Sequence, residues 1–265
     1  MFQFQRPRAL MMMAATGLVA VGLLAGCAKK GDDEAPKRRS PSSATITQGG
    51  GGASQGSASI AGKITFTGDA PAASELSMNA DPVCDSAHTG PVVSEDVVVS
   101  ADGGLQNVIV YVKTGASGNF SAPSTAVVLD QKGCVYVPHV VALQVGQTLE
   151  LVNSDTTTHN VHALSDINKT FNKSMPIPGM RIEESFDDAE IFKVKCDVHP
   201  WMASFVGVFD NPFFAVTAAD GSFKISGLPA GTYTIAAMHE VYGEKIATVT
   251  VGDGEAGAAA FSYGG

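Results

Sequence analysis

The run Cys196-Asp197-Val198-His199-Pro200-Trp201-Met202 sets a thiol, an imidazole and a thioether on one short segment. A second imidazole, His159, opens the run His159-Asn160-Val161-His162 further upstream. Thiolate and thioether sulfur are soft donors that favour Cu(I), and imidazole nitrogen suits both oxidation states of copper. Residues of these types, brought together, could hold one copper ion and let it gain and lose an electron. No hydrolytic constellation stands beside them: the sequence has no His-Glu-x-x-His pair and no phosphate-cradling glycine loop.

Such a site needs a scaffold that joins distant segments. Short alternating runs recur at 60–66, 108–112, 140–145, 192–196, 223–225, 233–237 and 247–251, separated by Gly, Asp, Asn and Pro. No long stretch has a helical period. The pattern predicts an all-β fold, as two sandwiches or one elaborated sandwich. Alternation aims Phe192, Val194 and Cys196 at one face, so the thiol leaves its strand pointing inward. The loop then turns, stiffened by Pro200, and brings His199 and Met202 back toward the same point. His159 belongs to a distant strand end, so the site assembles only on folding.

Three stretches together carry a family resemblance. They are Tyr136-Val137-Pro138-His139-Val140, then Val145-Gly146-Gln147-Thr148-Leu149-Glu150-Leu151, then Asn153 to His162, ahead of the late Cys-x-x-His-Pro-Trp-Met loop. Over residues 125 to 209 this order resembles the cupredoxins, amicyanin-like members above all. The resemblance implies a Greek-key β-sandwich and one type 1 (blue) copper. His159 and His199 would be equatorial ligands, Cys196 the thiolate and Met202 the weak axial ligand, the donor set a blue site needs. Asn160 would tie the two ligand loops together. His199, framed by Pro200 and Trp201, would be the exposed electron port. His162 matches a family position that does not bind metal. His139 is a candidate fifth ligand, or a histidine at the surface or behind the ligands, and His239 a candidate for approaching the copper loop across a domain boundary. Met175 and Met180 flank Pro176 and Pro178, as loop packing or a copper-loading surface.

The chain on either side of this stretch has another character. Ile60 to Phe66 and Asn107 to Val112 come first; Thr217 to Ile225 and Leu228 to Ile235 come after, with turns at Asp220-Gly221 and Pro229-Ala230-Gly231. These halves resemble carboxypeptidase regulatory-like (transthyretin-like) β-sandwiches. The expected organisation is a copper domain, 123–209, inserted in a discontinuous sandwich made of 58–122 and 210–265.

At the N-terminus, Arg6 and Arg8 precede an apolar run ending in Leu24-Ala25-Gly26-Cys27, which resembles the lipobox of bacterial lipoproteins. That resemblance implies a signal peptide over 1–27, lipidation of Cys27 and an extracytoplasmic, lipid-anchored protein, on the periplasmic side of an outer membrane or at the cell surface. Residues 28–57, rich in charge, Ser and Gly, read as a flexible tether.

The whole chain has 17 Lys and Arg against 26 Asp and Glu; seven of the basic and three of the acidic residues precede residue 58, which leaves the rest at −13. That balance argues against nucleic acid and against direct binding to an anionic bilayer. It suits a redox protein partner such as a c-type cytochrome or a dehydrogenase, with Glu183, Glu184, Asp187, Asp188 and Glu190 as a docking cluster or a solvated turn. Of the four cysteines, Cys84 and Cys134 remain unassigned; an oxidising compartment favours a disulfide between them. The alternative is a second metal site with His88 and His139. The expected function is one-electron transfer without catalysis, because four protein ligands leave no position open to substrate. Copper handling and a structural or carbohydrate-binding lipoprotein are the alternatives.

Overall fold

Every alternating run becomes a strand or overhangs one by a single residue in the computed structural model, which describes residues 56–264. The expected signal segment, Cys27 and nearly all of the tether lie outside the described residues. The first elements are β1 (Ala58–Thr67), a helix α1 (Pro82–Ser86), β2 (Ile109–Thr114), β3 (Val127–Gln131), β4 (Tyr136–Val137) and β5 (Val140–Gln144). Next come β6 (Leu149–Asn153), β7 (His159–Leu164), β8 (Phe171–Met175), β9 (Met180–Glu184), β10 (Glu190–Lys195) and β11 (Ala203–Phe209). The last are β12 (Phe214–Val216), β13 (Ser222–Leu228), β14 (Gly231–His239), β15 (Gly243–Val251) and β16 (Ala256–Gly264). The fold is all-β, and the five-residue α1 is the only α-helix among the described residues.

These strands form four sheets. Strands from both ends of the described chain make two of them, β13-β1-β16 and β12-β2-β14-β15. Their inner faces share a core with Ile60, Ile64, Val110, Phe223, Ile235 and Tyr263. The central strands make the other two, β5-β11-β10-β7-β8 and β4-β3-β6-β9. Leu129, Leu143, Leu151, Val161, Phe192 and Val206 fill the core between those. A small apolar cluster of Ile109, Val140, Ala142, Phe209 and Phe214 joins the two pairs of sheets, so the lattice of contacts is continuous. Each such side chain contributes roughly 1.5–3 kcal/mol when fully removed from water.

α1 follows from local chemistry. The Asp81 side chain accepts from Val83 N (2.8 Å), capping the helix, and Pro82 occupies the first turn, where its missing N–H costs nothing. A helix this short cannot persist alone. It is stapled instead: Cys84 and Cys134 form a disulfide. His88, the alternative metal ligand weighed for these cysteines, is hydrogen-bonded to the Gly133 carbonyl oxygen.

One member of the acidic cluster, Glu190, is committed to local architecture. Glu190 accepts from Ser165 Oγ (2.5 Å), Asp166 N (2.6 Å), Ile167 N (3.1 Å) and both nitrogens of Asn168 (3.0 Å each), clasping the β7–β8 turn. Burial opposes its charge, but these hydrogen bonds prevail and hold Glu190 down at about 2. A depressed carboxylate stabilises the fold fully above its unfolded value of 4.5, and the contribution is lost as pH falls through about 2. Glu190→Gln, whose amide must face these N–H groups, is expected to lose roughly 2 kcal/mol at neutral pH. Urea unfolding at pH 7 and pH 2 checks this: the difference between parent and variant should shrink at the lower pH.

Candidate metal centre

The alternation of β10 ends at Cys196, whose side chain is buried in the core. The loop after it closes on itself: Cys196 N donates to Met202 O (3.2 Å), Met202 N to His199 O (2.9 Å), and His199 N to Cys196 Sγ (3.4 Å). His159 opens β7 and sits opposite Met175 of β8. Asn160 ties this strand to the loop, its Oδ1 accepting from Asp197 N (2.7 Å) and from the Cys196 thiol (3.3 Å). Tyr136 Oη donates to the Asn160 carbonyl (2.6 Å), fixing the same strand from β4.

The fold thus brings His159, Cys196 and His199 together, with one donor atom of each within 4.8 Å of the others. Met202 lies buried in the same apolar cluster as Cys196. His159 Nδ1 and His199 Nδ1 face each other at 2.9 Å, and Cys196 Sγ lies 3.9 Å from the latter. The outer nitrogens are both held by carboxylates: His159 Nε2 by Asp155 Oδ2 (2.9 Å) and His199 Nε2 by Asp81 Oδ2 (3.0 Å). With both Nε2 atoms donating, the two Nδ1 atoms can share a proton or turn lone pairs toward a metal ion. Burial works against a charged His159, yet Asp155 and Cys196 push it up to about 9. Burial raises the Cys196 thiol, but His159 and nearby backbone N–H groups outweigh it and lower its pKa. A buried cysteine sulfur beside two oriented imidazoles is a donor set that fits copper.

Asp81 and Asp155 were not legible as part of this site, and they come from different chemistry. Asp155 also accepts from Gly133 N (2.7 Å) and Cys134 N (2.8 Å), in a turn where both residues have positive φ, 66° and 56°. Its spacing of four residues from His159 was the available signal. Asp81 accepts from Thr157 Oγ1 (2.9 Å) as well as from His199, and the His199 contact is the main reason its carboxyl falls to about 2. Its only sequence signal was the Asp-Pro helix start.

One expectation is corrected. His199 is not an exposed port: it is 2% exposed. α1 and its disulfide lie over it, with Cys84 Sγ 3.6 Å from His199 Nε2. Pro200 is exposed and Trp201 half-buried; Trp201 Nε1 donates to Cys134 O (2.9 Å), and its ring lies 5.0 Å from that of His199. The remaining histidines stand apart. His162 pairs with Asp197 at the surface (3.0 Å), His139 with Glu240, and His239 is buried in the core of the other pair of sheets beside Tyr242. Met175 is fully buried, its sulfur accepting from Gln131 Nε2 (3.1 Å), which is packing and not a loading surface.

No protein-family model matches the chain, and no curated protein does. Among solved structures, parts of it are similar to a Cu-containing nitrite reductase from Thermus scotoductus SA-01, at 23% identity and TM-score 0.29 over 36% of this chain. The chain spans only 24% of that reductase. A purple cupredoxin from Nitrosopumilus maritimus is similar at 30% identity and TM-score 0.25, over 28% of this chain and 81% of its own. An amicyanin from Paracoccus versutus is similar at 24% identity and TM-score 0.29, over 37% of this chain and 96% of its own.

Proposed function

We propose that this chain is a one-electron carrier whose centre is a type 1 copper, with His159, Cys196 and His199 as the strong ligands and Met202 as the weak axial one. The observation that carries the reading is the pair of Nδ1 atoms facing each other at 2.9 Å beside the Cys196 thiol, each ring turned by a carboxylate on its far nitrogen. When bound, copper supplies exchange of one electron between Cu(I) and Cu(II). The protein supplies the rest. Asp155 and Asp81 fix the tautomer and orientation of both imidazoles and make them more basic. Asn160 holds the Cys196 sulfur and the loop backbone in register with β7. The apolar surroundings of Cys196 and Met202 exclude water.

Anchoring through Cys27 on the outer side of a membrane would make the chain a fixed relay. Its partner would be a redox protein, such as a c-type cytochrome or a dehydrogenase. Between His199 and solvent stand the α1 cap and Trp201, so exchange with a partner must cross them. Voltammetry of the copper-loaded chain tests the reading: one reversible one-electron wave is expected, absent in Cys196→Ser. A chain that binds copper but shows no wave would contradict it.

A further inference from the structure

His139 leaves the copper cluster and takes part in another. It stands directly ahead of β5, its carbonyl accepting from Phe205 N (3.0 Å), at the border between the two pairs of sheets. Its Nε2 is hydrogen-bonded to Oε1 of Glu240, which follows β14, 101 residues later, and both side chains are 7% exposed. Asp96 adds a second carboxylate: one donor atom each from Asp96, His139 and Glu240 lies within 4.8 Å of the others. Glu95 adjoins them; burial raises its pKa, eased by His139 and reinforced by Glu240.

No Lys or Arg among the described residues forms an ion pair with Glu95, Asp96, His139 or Glu240, so His139 is the one basic group among them paired with these carboxylates. A second observation points the same way. His239 is fully buried, and Val241 N donates to its Nδ1 (3.1 Å), which leaves the ring proton on Nε2. That buried donor has no acceptor among the described residues. Its ring feels the charges of both His139 and Asp96, so it borders the same cluster.

We propose that Asp96, His139 and Glu240 form a divalent transition-metal site, of the kind that takes Zn²⁺, at the seam between the two pairs of sheets. One imidazole and two carboxylates are a zinc donor set that leaves a fourth position for water. Asp96, the exposed member, puts that position at the solvent side. The cation would lie between the His139 imidazole and the two carboxylates and offset their charge. Because the ligands come from just ahead of β5, from just past β14 and from the loop before β2, the metal would cross-link the two pairs of sheets. The lack of thiolate and thioether separates it from the Cys196 centre, and the inference does not rest on copper being bound there.

Calorimetric titration of the metal-stripped full chain with Zn²⁺ tests it, using Cys196→Ser as the background to weaken the sulfur centre. A binding event should remain in Cys196→Ser and be lost, or weakened at least tenfold, when Asp96→Asn is added. Asp96 is exposed, so that change spares the fold; Glu240→Gln should act in the same direction. In the Cys196→Ser chain, one equivalent of Zn²⁺ should raise the melting temperature, and adding Asp96→Asn should abolish that rise. Zinc binding in the Cys196→Ser background that is unchanged by both Asp96→Asn and Glu240→Gln would overturn the proposal.

Discussion

Asp155→Asn is expected to weaken copper binding by about 10- to 100-fold, the usual consequence of removing a carboxylate that orients a ligating imidazole. The carboxylate accepts three hydrogen bonds, from Gly133 N, Cys134 N and His159 Nε2. An asparagine has one oxygen to share among them, and its NH₂ must point at a donor. The turn at 133–134 or the orientation of His159 is therefore sacrificed, and a buried donor left unpaired costs roughly 1–3 kcal/mol. Asp81→Asn should have the smaller effect, because Asp81 is 21% exposed against 12% for Asp155 and water can replace it. The chain's single tryptophan, Trp201, lies 5.0 Å from the His199 ring, so copper should quench its fluorescence. Competition with a chelator, followed by that signal, gives the affinities. An Asp155→Asn affinity within threefold of the parent would mean that the carboxylate serves the turn alone.

Replacing both Cys84 and Cys134 with serine should produce the largest loss of stability. The bridge spans 50 residues of sequence, and closing such a loop in the unfolded chain is worth about 4 kcal/mol. For a chain of this size that loss lowers the melting temperature by about 10 °C. The effect on the site should be as large as that on the fold. Without the bridge, α1 is held over His199 by Asp81, which bonds His199 and Thr157, and the Cys134 turn by its contacts to Trp201 and Asp155. The cap should open, and His199 should become reactive toward a histidine reagent that the parent resists. Electron exchange with an added c-type cytochrome should quicken at the same time. Unchanged histidine reactivity in the serine variant would show that the cap is held by Asp81 and packing.

The strands were legible because alternation reports burial directly. Phe192, Val194 and Cys196 share a face in the sequence and in β10 alike. The meeting of Cys196 and His199 was legible because a short loop can return them to one point in only a few ways, and that of His159 with them through the family resemblance of its own run. What the sequence did not disclose is long-range. Asp81 reaches His199 from 118 residues away, and no local pattern marks an acidic residue that will cover a histidine. The expected exposure of His199 failed because α1 and its disulfide add a layer that the loop motif does not encode. His139 was visible as a histidine near the copper segment, but its partner Glu240 lies 101 residues downstream, just past β14. The sheet pairing decides such contacts: β1 pairs with β13 and β16, which a reading by local windows cannot anticipate.

The optical and EPR spectrum of the Cu(II)-loaded chain, recorded beside Cys196→Ser, tests the copper reading most directly. A strong visible band near 600 nm with a narrow copper hyperfine splitting, both lost in the variant, is the predicted result, as expected of a Cu(II)–thiolate bond. An ordinary tetragonal copper signal, the same in both proteins, would contradict it.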